Sequence, residues 1–513
     1  MMPRTFGTVW FAPAAACLLL AACGSNGSGR LDSIVISVPY EPETLDPHAS
    51  YTISDFATAS HFYQSLVRTD AQLRIHPCLA RSWRTPDPST WILDIEPSVT
   101  FHSGKQLSSS DVAYSIQRLL DHPELEVRTL MSNVADVRAT GPLQVTIHLR
   151  RTQSVFLNKL LFVSIVPENS SSETLRDRED GTGPYRLVEW RKGRQISMQR
   201  YDEYWGRTPA LRDVTLLLGR TPEQVIRDMG SGRSAFVQSN DVRLARTVKA
   251  HGGYHILQHD SIFVKYLGYD LMRDDTPYCS AKPNPFRNRA VRQAIQLAID
   301  RDSLVRDLAA PATPAAQPVP SFIFGYDPSM PLPHCDPAEA RRLLASAGFP
   351  RGFEVTLHSR QILRATADLV RQQLAPVGIR VEVKLMQDPE FFDALNNHDA
   401  SFFLSRFGCA TGDASDVLEA CIHSPDPVGR YGGSNYGRYR NPTIDRAIED
   451  CAKAIDPQER KRSMQEIMRA LVEDLPWIPL YADMDLYAIS NAYSWQPRCD
   501  GSVLAQEIAL ADH

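Results

Sequence analysis

The chain holds residue types that could carry catalysis, but not at the spacings catalysis needs. Asp274 and Asp275 form an adjacent acid pair, and two carboxylates can divide acid and base roles when their surroundings separate their pKa values. Isolated neighbours of this kind in a loop are more simply read as solvated charges. No Gly-x-Ser-x-Gly elbow, P-loop or His-Glu-x-x-His occurs, so acyl transfer, phosphate cradling and zinc hydrolysis all lack their signatures. Gly181-Thr182-Gly183 begins like a dinucleotide fingerprint, yet Pro184 and Tyr185 stand where the helix must open. The 14 histidines are scattered. No Cys-x-x-Cys occurs, and no His stands at zinc-finger spacing from a Cys, so no metal site or cofactor is expected. The chain reads as a non-enzyme.

The 513 residues correspond to about three domains at roughly 150 residues each. Hydrophobic residues at 43% and charged residues at 22% are globular proportions and exclude long disorder, collagen-like repeats and a polytopic membrane protein. Fifty-five basic residues face 60 acidic ones, for a net charge of −5. So even a balance gives no basic patch and no nucleic-acid partner. Prolines (36) outnumber glycines (27), which predicts rigid loops and abrupt element ends.

The N-terminus sets the compartment. Arg4 is the only charge before position 30, and residues 6–20 are apolar apart from Gly7, Thr8 and Pro13. A positive start, a short apolar run and small residues at a cut describe a secretory signal. The run is shorter than the roughly 20 residues a membrane helix needs. Leu20-Ala21-Ala22-Cys23 resembles the bacterial lipobox, which implies that residues 1–22 are removed and Cys23 is lipidated. Residues 23–30, rich in Gly and Ser, form a tether. Seven cysteines remain beyond Cys23, an odd number, so at least one thiol is free. Cys409 and Cys421 flank a loop-like stretch and are the favoured disulfide pair.

Period-2 alternation marks strands at Ile34, Ile36, Val38; at Trp91, Leu93, Ile95; and at Val145, Ile147, Leu149. Ser110 is read as the cap of a helix with Val112, Ile116, Leu119 and Leu120 on one face. Val291, Ala294, Ile295, Ala298 and Ile299 fall at helical spacing. Asp336-Pro337-Ala338-Glu339 has the form of a capping box. Phe353, Val355, Leu357, then a helix through Leu369, Val370 and Leu374, then Ile379, Val381, Val383, Leu385 make a βαβ unit and predict parallel strands. Asn441-Pro442 and Asp456-Pro457 open two more helices. Residues 311–333 carry seven prolines and no periodicity, which predicts a long loop.

In this order the landmarks resemble those of the extracytoplasmic solute-binding proteins of bacterial ABC importers, in the dipeptide- and oligopeptide-binding family (family 5). They are Thr44-Leu45-Asp46-Pro47-His48; Leu79-Ala80-Arg81-Ser82-Trp83; Phe101-His102-Ser103-Gly104; Gly181-Thr182-Gly183-Pro184-Tyr185; Tyr204-Trp205; Ala298-Ile299-Asp300-Arg301; Gly437-Arg438-Tyr439 with Asn441-Pro442; and Trp477-Ile478-Pro479-Leu480-Tyr481. Each is weak alone, but their joint order is specific. The resemblance implies an α/β, two-lobed periplasmic-binding-protein fold (type II, cluster C) with an extra subdomain on the first lobe. Its expected boundaries are 31–75 and 181–275 for lobe I, 76–180 for the subdomain, 276–480 for lobe II, and 481–513 for a return to lobe I. Crossings between lobes are expected near 271–284 and 479–482.

The resemblance also implies a monomer that captures short peptides and hands them to ABC permease and ATPase subunits, held to a membrane through Cys23. Glutathione or another solute (a metal complex, haem, a sugar or an opine-like compound) is the alternative ligand, and a secreted hydrolase the alternative class. A buried zwitterion needs a carboxylate for its ammonium group and Arg, Lys or backbone N–H for its carboxylate. In the family an acid in a glycine-bearing loop of lobe II takes the ammonium. The matching stretch, 405–416, makes Asp413 that acid, with Asp416 second and Arg406 toward the ligand carboxylate. Glu41 is expected to line the cleft from lobe I, and Tyr481 to stack on or hydrogen-bond the ligand. A tryptophan frequent after the glycine of this loop is replaced here by Cys409, and the Thr-Gly-Asp-Ala-Ser form of the loop resembles a branch with glutathione-binding members.

Overall fold

The structure is a computed structural model that describes residues 32–50, 52–238, 243–308, 310–426 and 431–511. The signal segment, Cys23 and the tether lie outside the described residues.

Two long antiparallel strands organise the molecule. Tyr254–Tyr269 pairs with Trp477–Ser490, and the register slips between Asp260 and Val264. One half of this ribbon continues through Phe236–Gln238 into lobe I, and the other through Phe402–Gly408 into lobe II. The chain thus passes between lobes inside these two hinge strands. The ribbon makes one sheet of both lobes. In order, the strands are Ile379–Met386, Phe353–Arg360, Phe402–Gly408, the hinge pair, Phe236–Gln238, Ser33–Ser37, Asp213–Leu217, Gln195–Arg200 and Tyr185–Arg191.

Sequence patterns account for most of these elements. Ile34 and Ile36 are buried in Ser33–Ser37, which is flanked on both sides by parallel partners. Phe353–Arg360 runs parallel to Ile379–Met386, as its βαβ pattern predicts. The expected subdomain region holds a four-stranded antiparallel sheet (Ala80–Asp87, Thr90–Ile95, Gln144–Leu149, Val134–Gly141). A helix at Ser109–Asp121 buries Val112, Ile116 and Leu119. Its cap is Ser108, not Ser110, because the Asp111 carboxylate reaches back to the Ser108 backbone N–H and closes a capping box. At Asp336 only half of the expected box forms: the aspartate accepts from the N–H groups of Ala338 and Glu339, while Glu339 pairs with Arg342. Asn441 and Asp456 cap their helices as read. The C-terminal segment returns to lobe I, where Tyr493 donates to the Ser33 carbonyl and Trp495 meets Phe236 edge-on.

The proline-rich stretch is braced rather than loose. Ala312–Pro314 adds to the second hinge strand. Gln317 and Asp327 exchange two hydrogen bonds across the loop. Phe324 pairs with the 405–416 loop, its N–H donating to the Gly412 carbonyl while Ala414 N–H donates to its own. A run without periodicity therefore connects the hinge to the candidate loop.

Candidate ligand-binding site

Register places two of the singled-out side chains, Arg406 and Tyr481, on either side of Lys265. Lys265 on the first hinge strand is the direct partner of Arg406 on one side and of Tyr481 on the other, and directly opposed residues share a face. Lys265 pairs with Asp483, and its pKa is lowered, chiefly by burial. The Tyr481 hydroxyl meets Thr366 Oγ1 at 2.7 Å in buried surroundings. That leaves Tyr481 part of the scaffold, with the Lys265 ammonium 5.9 Å from its ring centre. On the adjoining strand, Arg360 pairs with Asp388.

Arg406 differs from its neighbours. Its guanidinium lies 4.3 Å from the centre of the Phe263 ring, and among the described residues no carboxylate stands within ion-pair distance of it. Gly408 makes the stack possible: a Cβ there would fall 2.7 Å from the Phe263 ring. Burial and the nearby charge of Arg360 lower the Arg406 pKa. Of the three cations, Lys265 and Arg360 are each paired with a carboxylate, whereas the Arg406 guanidinium has no ion-pair partner among the described residues and offers a complement to a ligand carboxylate.

The loop that follows lies where the lobes meet. Asn158 of the subdomain donates to the Thr411 carbonyl at 2.8 Å, Ser154 N–H donates to the Ala452 carbonyl, and Lys159 stands 3.6 Å from Glu419. Gly412 has φ +75°, and its missing Cβ would sit 3.0 Å from Leu73 of lobe I. A left-handed turn and close packing across the lobes both require glycine there.

Asp413 is not exposed to the cleft. Both of its oxygens are held by Arg460, at 2.6 and 2.7 Å, and Oδ1 also caps the Ser415 N–H. Arg460 in turn stacks on Phe324 at 5.4 Å. The pair is buried within lobe II, so the carboxylate expected to take an ammonium group already has an internal guanidinium. Asp416 accepts from the Thr411 N–H at 2.9 Å, and its pKa is raised to about 7 by burial, with the charge of Asp413 adding to the effect. Glu41 is exposed and accepts from Gly193 N–H at 2.5 Å, pinning its loop to the turn between Tyr185–Arg191 and Gln195–Arg200. The expected Cys409–Cys421 disulfide is corrected: both are free, as are the other five described cysteines. Both thiols are embedded in the apolar core of lobe II, where burial raises their pKa well above the usual value.

Asp416 gives a pH prediction. Its pKa of about 7 when folded lies above the ordinary 3.8, so the folded chain binds this proton more tightly than the unfolded one. Stability then falls as pH rises from about 4 to about 7. Asp416→Asn is expected to melt with wild type near pH 4 and above it near pH 7.5. Parallel melting curves across that range would refute the assignment.

Sequence reasoning missed the pocket between the lobes. Phe56 of lobe I and Leu161 and Phe162 of the subdomain line it, together with Asp500 and Ser502 of the C-terminal return, Ile262 of the hinge and Ala410 of the loop. Nothing in the local pattern at 500–502 signals this, because the segment reaches the cleft only through the return of the chain to lobe I.

Two lobes thus share a hinge ribbon with an unpaired guanidinium beside it. The chain belongs to the bacterial extracellular solute-binding proteins, family 5, which it matches over residues 74–427. It is a family 5 solute-binding protein of ABC transporters, an extracytoplasmic class. It is 26% identical over 469 residues to the glutathione-binding protein GsiB of Salmonella paratyphi A, covering 88% of this chain and 89% of that one. Its fold matches the periplasmic binding protein DppA of Helicobacter pylori in complex with the peptide STSA (TM-score 0.78, 18% identity, 94% and 98% coverage). It also matches NikZ of Campylobacter jejuni in complex with Ni(L-His) (TM-score 0.77, 20% identity, 94% and 100% coverage). No helix among the described residues is long and apolar enough to cross a membrane.

Proposed function

We propose that this protein captures a short peptide or a peptide-like zwitterion between its lobes and delivers it to an ABC permease, tethered to a membrane through a lipid on Cys23. The observation that carries the reading is Arg406, a half-buried guanidinium stacked on Phe263 beside the hinge without a carboxylate partner. A ligand carboxylate at that position would satisfy it, and the gain would favour the closed form by the ligand's preference for closed over open. Asp413 enters as the residue that fixes the loop from within, and Tyr481 as part of the wall behind Lys265. Glutathione is the second reading, supported by the likeness over most of the chain to a glutathione-binding protein. It too offers carboxylates to Arg406 and carries an ammonium group.

Calorimetry of the purified, ligand-stripped protein with di- to pentapeptides and with glutathione tests the proposal. Saturable heat with one class, accompanied by a rise in melting temperature, is expected. No heat and no thermal shift with any of them would remove the peptide and glutathione readings together.

A further inference from the structure

The site described so far has one pole. A zwitterion buried between lobes also needs a counter-charge for its ammonium group, and Asp413, enclosed with Arg460, is not free to supply it. We propose that the ammonium end of the solute, with the apolar group next to it, is received in the pocket at the C-terminal return. There Asp500 supplies the counter-charge and Ser502 a hydrogen-bond partner. The inference rests on the zwitterion reading above and assigns that zwitterion's second pole.

The pocket spans the lobe boundary and has two kinds of wall. Phe56 and Phe162 stand with ring centres 5.0 Å apart, and Leu161 and Ile262 extend the apolar side. Asp500 and Ser502 supply the polar side. Ser502 is 1% exposed, and its Oγ has no hydrogen-bond partner among the described residues. A buried hydroxyl without a partner is costly in a folded protein. One that lines a cavity gains its partner when the cavity fills.

Charge points the same way. Arg498 grips Asp500 on both oxygens, at 3.1 Å to Oδ1 and 2.8 Å to Oδ2, and Oδ1 also accepts from the Ser502 N–H, but the same guanidinium binds Glu507 at 2.8 Å, so two carboxylates share it. At Asp413 one carboxylate meets one guanidinium and no charge is left over. Gly501, at φ +74°, adds to the picture: a Cβ there would stand 3.0 Å from the Asp485 carboxylate, which therefore faces the same turn. Asp485 is also among the charges that act on Arg406. The carboxylates at this turn and the unpaired Arg406 guanidinium thus supply opposite charges within electrostatic reach of each other, as orienting a zwitterion requires.

The test uses two ligand pairs that differ only by the amino group: Ala-Phe and propanoyl-Phe, and glutathione and its desamino form. Calorimetry on the wild-type protein is expected to show at least one amine-bearing ligand bound about tenfold or more tightly than its desamino partner. Asp500→Asn is expected to erase that preference, weakening the amine-bearing ligand about tenfold while leaving its desamino partner within about twofold. Ser502→Ala removes an oxygen without a partner in the protein, so its fold is not at risk. It should reduce the preference about threefold or more. Retention of the full preference by either variant overturns the inference and leaves the transport reading standing. Failure of all four ligands to bind wild type removes the zwitterion reading, and this inference with it.

Discussion

Replacing Arg460 by leucine is expected to destabilise the protein by about 3–5 kcal/mol, the cost of leaving one member of a buried ion pair alone. Asp413 and Arg460 are both nearly inaccessible and share two hydrogen bonds. Without the guanidinium, the carboxylate must either stay charged in an apolar setting or take up a proton. The damage should extend beyond the pair, because Phe324 carries both the Arg460 stack and the backbone bridge to Gly412 and Ala414. Denaturant titration monitored by tryptophan fluorescence would read the loss as a lower midpoint, and Trp477, packed in the same core, is a suitable reporter. The double variant Asp413→Asn, Arg460→Leu is expected to recover at least half of the loss, since removing both charges avoids the orphan. Failure of the double variant to recover would mean that the arginine acts through packing of its stem rather than through its charge.

Legibility in the sequence followed the range of the physics. Elements fixed by local pattern were readable: the βαβ register of Phe353–Arg360 with Ile379–Met386 follows from alternation plus one amphipathic helix, and Asn441 and Asp456 cap their helices because the capping residue and the orphan N–H groups are neighbours in the chain. Arg406 was singled out because the loop around it resembles that of a known family. The partner of Asp413 was not readable: Arg460 stands 47 positions away on a helix whose own pattern explains it as a polar surface residue. Contacts of Asp500 with the cleft depend on the C-terminal return to lobe I, and the brace at Phe324 on a proline-rich run without periodicity. Neither leaves a local trace. The Cys409–Cys421 pairing was inferred from proximity in sequence alone, whereas a disulfide is set by the direction of Cβ vectors that sequence does not reveal.

Arg406→Met is expected to weaken binding of a free-acid ligand such as Ala-Phe by about 30- to 1,000-fold, corresponding to about 2–4 kcal/mol. Binding of the amidated ligand Ala-Phe-NH2, already weak in wild type, should hardly change. Methionine keeps the length and the contact with Phe263 while removing the charge, so the difference between acid and amide reads the guanidinium alone. Arg406→Lys should recover only part of the affinity, because an ammonium group neither stacks on Phe263 as a plane nor grips a carboxylate with two parallel hydrogen bonds. Equal losses for acid and amide would place the ligand carboxylate elsewhere. Stability separates this arginine from the other one. Arg460 holds an anion of the protein, so its removal costs folding free energy. Arg406 has no such partner, and the partial burial that lowers its pKa opposes the charged form in the folded chain. Arg406→Met should therefore melt at or above the wild-type temperature while losing its ligand. A charge retained at a net cost to stability and without a partner in the fold is the arrangement expected where binding, rather than folding, has kept the residue.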